Sequence, residues 1–329
     1  MGNGMERRDF LKVLGVAGAG AGLSGCSSGA AEKLIPYVVP AEDIVPGTST
    51  WYRTTCRECP AGCGMNIRTR EGRAVKAEGN PLSPISHGKL CARGQASLQG
   101  LYDPDRVPQP ILRESAVREW QELGWDAAER RLAALVTNAR GRAVFLTGAT
   151  SGSEDRLLDD WCAAAGVRRV RHDGFGLEPV RAAYRSLFGV DGVPVHDFAN
   201  ADVVVTFGAD FLETWISPVD YAHGFVQGHA YTGGRRGHLV SVGPHQSLTG
   251  LNADEWLPIR SGSEALVALA MARVIAEERG GAGVGAAAGI VASVDVAAAA
   301  DAAGVPADRI LAVARDFARD GRSLAVGPG

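Results

Sequence analysis

The chain has 329 residues, 46% hydrophobic and 22% charged, with a formal net charge of −3. That near-neutral balance argues against nucleic acid as a partner, and the apolar content suits a globular protein long enough for two domains. No strict repeat or low-complexity tract accompanies its abundant Ala and Gly.

The first residues read as an address. Arg7-Arg8-Asp9-Phe10-Leu11-Lys12 has the pattern of a twin-arginine export signal, and a mild apolar stretch runs from Val13 to Leu23. That stretch falls well short of the roughly 20 residues a membrane-spanning helix needs. It closes on Leu23-Ser24-Gly25-Cys26, which has the form of a lipobox. The expectation is therefore a signal over residues 1–26, with Cys26 taking a lipid, and a linker over 27–50. An ordinary signal with an incidental cysteine is the alternative. Twin-arginine export carries folded proteins, which suits one that acquires a metal cofactor before export to the periplasmic face of the cytoplasmic membrane.

Residues 51–112 are expected to form a small domain built around a metal centre. Cys56, Cys59, Cys63 and Cys91 follow the pattern Cys-x2-Cys-x3-Cys-x27-Cys. Four thiolates around one centre suit an iron–sulfur cubane or a zinc ion. Zinc sites are usually built from two separate knuckles, whereas here three ligands share one tight loop, and Pro60 stiffens it beside Cys59. Asn66–Arg70 and Arg73–Ala77 flank Glu71-Gly72 as a hairpin, and Asn80-Pro81 and Ser83-Pro84 break the chain ahead of Cys91. Eight basic residues between Trp51 and Gln95 (Arg53, Arg57, Arg68, Arg70, Arg73, Lys76, Lys89, Arg93) face only Glu58, Glu71 and Glu78. Such an excess favours the reduced form of an anionic cluster; a solvated basic face is the alternative reading.

Residues 113–329 change pattern. Trp125, Ala128, Leu132, Leu135 and Val136 recur at helical spacing, and Ser153–Ala165, Ala265–Glu278 and Ala307–Ala318 are further helices. Ala143–Thr147, Val203–Phe207, His238–Val242 and Ser323–Val326 are buried-strand candidates. Strands alternating with helices predict an α/β fold with a doubly wound, Rossmann-like parallel sheet. Ser151-Gly152-Ser153-Glu154 and Ser261-Gly262-Ser263-Glu264 both fit a capping box. Gly148–Gly152 reads either as a capped turn or as a phosphate cradle lacking the full dinucleotide fingerprint. Cys162, within Leu157–Ala163, reads as a buried small apolar residue. Gly327-Pro328-Gly329 directly follows a strand candidate, which reads as an incomplete domain of a longer frame.

Taken together, Thr54–Cys63, Glu78-Gly79-Asn80-Pro81 and Gly88–Gly94 resemble the [4Fe-4S] domain of the molybdopterin oxidoreductase family. That group includes formate dehydrogenases, nitrate reductases and polysulfide reductases. The resemblance implies that Cys56, Cys59, Cys63 and Cys91 ligate iron and that Arg93 lies between cluster and pterin. It also exposes three departures. Gly176 stands where catalytic members carry a molybdenum ligand, with Asp173 and Glu178 nearby. Gly208-Ala209-Asp210-Phe211 stands where a Gly-x-Asn-Pro turn meets the pterin, and Gly243-Pro244-His245 where an acidic residue reads guanine. Glu32–Pro40 and Arg93–Tyr102 look like the molybdopterin-like subunit of alternative complex III and menaquinone reductase complexes. The resemblance implies an electron-transfer subunit with a [4Fe-4S] cluster and without molybdopterin guanine dinucleotide. Its implied partners are iron–sulfur, multihaem cytochrome and integral membrane subunits. A catalytic molybdopterin enzyme of polysulfide reductase or formate dehydrogenase type, and a zinc-stapled assembly module, are the alternatives.

Overall fold

The computed structural model describes residues 44–139, 141–172, 174, 176–231, 236–280, 285–319 and 321–327. The twin-arginine pattern, Cys26, most of the linker and Asp173 lie outside the described residues.

The chain divides into two compact units, one taking in Met1–Thr50 and Arg70–Arg73, the other Trp51–Thr69 and Ala74–Gly329. Within the first, Glu71 and Gly72 adopt φ of 50° and 77°. Two successive left-handed residues make the tight hairpin turn that the Glu-Gly pair predicts. The Gly47 N–H donates to Glu71 Oε1 at 3.3 Å, and Arg70 Nη2 donates to the Gly47 carbonyl at 3.3 Å. Strands β1 (Ser49–Thr55), β2 (Gly64–Arg70) and β3 (Arg73–Gly79) form one sheet in that order.

The larger unit continues with helix α1 (Ala92–Leu101), the short antiparallel pair β4 (Ile111–Leu112) and β5 (Gln121–Glu122), and helix α2 (Trp125–Ala139). Strand β6 (Val144–Thr147), helix α3 (Gly152–Ala165) and strand β7 (Arg168–Arg171) follow, with β6 and β7 paired in parallel. Cys162 is buried on α3, as its apolar surroundings predict. By contrast α2 buries none of its side chains, and Leu132 and Leu135 lie open.

Helix α4 (Glu178–Phe188) and a 3₁₀ turn (Phe198–Asn200) lead to the main sheet. Its elements are β8 (Val203–Phe207), α5 (Pro218–His229), β9 (His238–Gly243), α6 (Leu248–Leu251), β10 (Glu255–Pro258), α7 (Glu264–Glu278), α8 (Ala288–Ala292), α9 (Val296–Ala303), α10 (Ala307–Ala318) and β11 (Ser323–Val326). The strand order is β10-β9-β8-β11, all parallel, with Val203 opposite both His238 and Ser323.

Side-chain alternation explains why this sheet is covered on both faces. Val203, Val205, Phe207, Val240 and Val242 pack with Val267, Met271 and Ile310 from the helices of one side. Val204, Leu239 and Val326 turn the other way, onto Phe198, Phe211, Tyr221 and Phe225. β8 is therefore buried along its whole length, which its unbroken Val-Val-Val-Thr-Phe run requires. Strand order reverses between β8 and β11, so the carboxyl ends of these strands frame the crevice where open α/β sheets bind ligands.

Neither expected capping box forms. The Ser151 and Ser263 side chains make no cap hydrogen bond. Glu154 is instead drawn across to Arg57, and α7 begins at Glu264, too late for Ser261 to cap it.

Candidate metal centre

The loop between β1 and β2 carries three of the cysteines, and the start of α1 carries the fourth. The Cys56 N–H donates to the Cys63 carbonyl at 2.8 Å, which closes the loop at the mouth of the sheet. Gly62, at φ 64°, turns the chain where a side chain would be strained. Cys91 is the N-cap of α1, and its carbonyl accepts from the Gln95 N–H at 3.1 Å. A thiolate there faces the positive end of the helix dipole.

The segment bearing Cys91 is pinned against β2 and β3. Ser86 is fully buried and its hydroxyl donates to the Gly64 carbonyl at 2.9 Å, while Ser83 Oγ accepts from the N–H groups of Gly64 and Ser86 at 3.3 and 3.2 Å. The Asn80-Pro81 and Ser83-Pro84 breaks thus become a hydrogen-bonded turn. Gly79 brings the backbones together: a Cβ there would lie 2.3 Å from Gly88 C and from Lys89 N. At Gly94 a Cβ would press on Leu90 Cδ2 at 3.3 Å and touch Cys56 Sγ at an ordinary 3.6 Å.

None of the four cysteines is in a disulfide; Cys56 and Cys63 are buried, and Cys59 and Cys91 are half-buried. Burial, followed by the charges of Cys59, Cys56 and Cys91, pushes the Cys63 thiol up to about 11. Burial is also the main cause raising Cys56, with Cys59 and Cys91 adding to it. Cys56 and Cys63 thus each feel the charges of Cys59 and Cys91. A bound cation reverses this penalty by taking the thiolates as ligands. Among the described residues, no three Cys, His, Asp or Glu side chains converge closely enough to hold a single metal ion. Zinc would need its sulfurs about 3.8 Å apart, from Zn–S bonds near 2.3 Å.

A cavity of about 200 Å³ opens beside this loop, lined by Cys56, Arg57 and Cys59 and, from the turn before α3, by Thr150, Ser151 and Glu154. Arg57 and Glu154 pair across it. The charge excess read from the sequence is thus partly spent, because Lys76 likewise pairs with Glu78. Arg93 is half-buried and its Nη2 donates to the Glu213 carbonyl at 3.4 Å, reaching the turn beyond β8. The Gly148–Gly152 turn is a poor phosphate cradle, since the first turn of α3 carries Glu154 and Asp155. Thr150 Oγ1 donates to Asp155 Oδ1 at 2.6 Å, and this bond, with Arg171 and Arg169, lowers Asp155 to about 2 against an opposing burial effect.

α5 closes the other side. Val219 shares a buried cluster with Cys56, Cys63 and Met65. Two features mark the approach to this helix: Ile216 is held at φ 50°, costly for a β-branched residue, and the buried Ser217 hydroxyl has no hydrogen-bond partner.

The three departures lie elsewhere. Gly176, at φ 70°, stands before α4 with open space where a side chain would project. Glu178 opens α4 and faces Arg181 and Arg185 at 3.6 and 3.9 Å. At the end of β8, the Asp210 carbonyl accepts from the N–H groups of Glu213, Thr214 and Trp215, each at 3.0 Å. One Asp210 carboxylate oxygen is buried without a partner. Gly243 ends β9, with its Cβ position 3.9 Å from Gly208 Cα.

A small four-cysteine domain followed by a parallel α/β sheet is the class these features define, and comparison with known proteins supplies its family resemblance. Residues 49–103 match the molybdopterin oxidoreductase Fe4S4 domain. The menaquinone reductase molybdopterin-binding-like subunit of Nitratidesulfovibrio vulgaris is 29% identical over 82% of this chain and 40% of its own. The arsenate respiratory reductase molybdopterin-containing subunit of Shewanella sp. (strain ANA-3) is 28% identical over 82% of this chain and 33% of its own. Acetylene hydratase from Pelobacter acetylenicus shares the fold, with a TM-score of 0.66 at 18% identity over 83% of this chain and 39% of its own. The chain carries the Fe4S4 domain of the molybdopterin oxidoreductases and spans 40% or less of these two curated relatives.

Proposed function

We propose that the chain is an exported iron–sulfur electron-transfer subunit of a respiratory quinol/quinone oxidoreductase complex, working without molybdenum. Residues 51–112 form its [4Fe-4S] domain, residues 113–329 the α/β scaffold. The gathering of four unbridged cysteines at one loop and one helix start carries this reading. Cys56, Cys59, Cys63 and Cys91 hold the cluster, which when bound supplies one-electron transfer. The residues around it exclude water on the Val219 side and set the local field through the α1 and α5 N-termini and Arg93.

Molybdopterin guanine dinucleotide fits this chain poorly. Gly176 offers no ligand, and a carboxylate oxygen of Asp210 already buried without a partner opposes a neighbouring pyrophosphate. The α/β domain then serves as a docking scaffold. The likeness to a menaquinone reductase subunit supports a multisubunit respiratory setting, with iron–sulfur, multihaem cytochrome and membrane partners. Among the described residues no helix is long and apolar enough to cross a membrane. Attachment through a lipid on Cys26 is proposed from the Leu23-Ser24-Gly25-Cys26 pattern. A catalytic molybdopterin enzyme is the competing reading, favoured by the molybdopterin-containing subunit among the relatives.

The test is low-temperature EPR of the full chain, purified anaerobically and reduced with dithionite. A cubane signal that disappears on Cys56→Ser, Cys59→Ser, Cys63→Ser and Cys91→Ser supports the assignment. A chain that binds zinc in place of iron overturns it.

A further inference from the structure

The segment leading to Cys91 meets α5 at a second place, and there the contact is between titratable groups. His87 Nε2 lies 2.9 Å from Asp220 Oδ1, and the His87 ring stacks on that of His223, with centroids 4.3 Å apart and planes 19° from parallel. His223 Nε2 lies 2.9 Å from the Gln227 side-chain amide nitrogen. Asp220, His223 and Gln227 recur at helical spacing along one face of α5, and Val219 on the same helix packs against Cys56 and Cys63. His87 itself is held at φ 47°, followed by Gly88 at 78°, so its ring is aimed from a costly backbone conformation.

We propose that the His87–His223 pair is a proton-accepting site whose charge is linked to the electron count of the neighbouring cluster; this rests on the iron–sulfur assignment above. Each part of the constellation has a role. Asp220 accepts from His87 Nε2–H and keeps that nitrogen protonated. Gln227 can donate to a neutral His223 Nε2 or, with its amide turned, accept from the protonated one. Two stacked imidazoles resist carrying two positive charges, so the pair takes up one proton at a time. His87 and Asp220 side chains are a third exposed, which leaves solvent as the proton source.

The balance is simple. When one electron arrives from an external one-electron donor, one proton from water binds His223 Nε2; when the electron leaves, that proton returns to water. Imidazole is suited to this because histidine changes charge across the neutral range. The sign follows from linkage. A protonated pair favours the more negative, reduced centre, so the midpoint potential is higher at low pH and falls as pH rises. Asp220 acts against the proton's effect at distance but for its binding. Lys89, two residues along, is the other charged residue between His87 and Cys91.

The experiment is an EPR-monitored redox titration of the full chain, with viologen-mediated dithionite as donor, at several values between about pH 5 and 8. The native protein is expected to show a potential that falls with pH, by a measurable fraction of the ~59 mV per unit that full one-proton coupling gives. His223→Gln is expected to flatten that slope, and His87→Asn to do the same while keeping a residue that tolerates the left-handed turn. A pH-independent potential in the native protein, or an unchanged slope in His223→Gln, overturns the proposal while leaving the cluster assignment standing. Absence of iron and of a reduced cubane signal in the native protein overturns the cluster assignment, and this proposal with it.

Discussion

The Cys56 N–H and the Cys63 carbonyl are joined by a 2.8 Å hydrogen bond, so the first and third cysteines of the motif are locked at the base of one loop. The bond joins main-chain groups, so it holds the two cysteine backbones together whatever side chains stand elsewhere in the loop. Cys162, buried on α3, has no part in this arrangement. Replacing it with Ala is expected to leave iron content unchanged, whereas Ser at any of the four motif positions lowers it. Iron per chain, measured across the five variants, checks this separation.

Gly79 is the tightest point behind the site, where a methyl group would lie only 2.3 Å from Gly88 C and Lys89 N. Both atoms are backbone, so nothing can swing aside. Gly79→Ala is expected to cost about 1–3 kcal/mol or more, as overpacking does, and to displace the segment that delivers Cys91. Thermal unfolding and iron retention should fall together in this variant.

The Arg57–Glu154 pair is long-range in sequence but exposed, with side chains 64% and 40% accessible. Solvent screening leaves such a pair worth less than about 1 kcal/mol. Glu154→Gln is therefore expected to leave the denaturation midpoint nearly unchanged. A large loss of stability would mean that the pair clamps the cluster loop to α3.

Arg169 is the opposite case, its side chain only 4% exposed among Asp155, Asp159 and Thr150. Asp155 is lowered to about 2, principally through Thr150 and then Arg171 and Arg169. A carboxylate lowered in the folded state stabilises above its ordinary range and loses that contribution as pH falls toward its folded value. Stability should therefore drop between about pH 4 and 2, by roughly 1 kcal/mol from this group after screening. In Asp155→Asn, acid unfolding curves should lose that component, and the neutral-pH stability should be lower because Arg169 keeps its charge with one partner fewer.

Much of this architecture is legible in the residues themselves. Val203–Phe207 and Ala307–Ala318 form the strand and helix that their apolar patterns demand. Of the four cysteines grouped by the sequence, Cys56, Cys63 and Cys91 meet in one packed cluster. β7 is not legible, because Arg168-Arg169-Val170-Arg171 carries charge where a strand signal would be; the carboxylates on α3, with the Thr147 and Thr150 hydroxyls, make Arg169 tolerable in a buried position. The capping boxes misled for a related reason, since Glu154 finds a better partner in Arg57 than in its own helix end. Pairings such as His87 with Asp220, 133 residues apart, leave no local trace in a sequence. They arise only when the Cys91 segment and α5 meet.

The proposed absence of molybdenum is the claim on which the account turns. Iron and molybdenum should be quantified together on one anaerobically prepared sample of the full-length protein. About four iron atoms per chain, as one cubane requires, with no molybdenum is the predicted result. Stoichiometric molybdenum beside that iron would contradict it, and would mean that the scaffold around Gly176 and Asp210 still holds a catalytic cofactor.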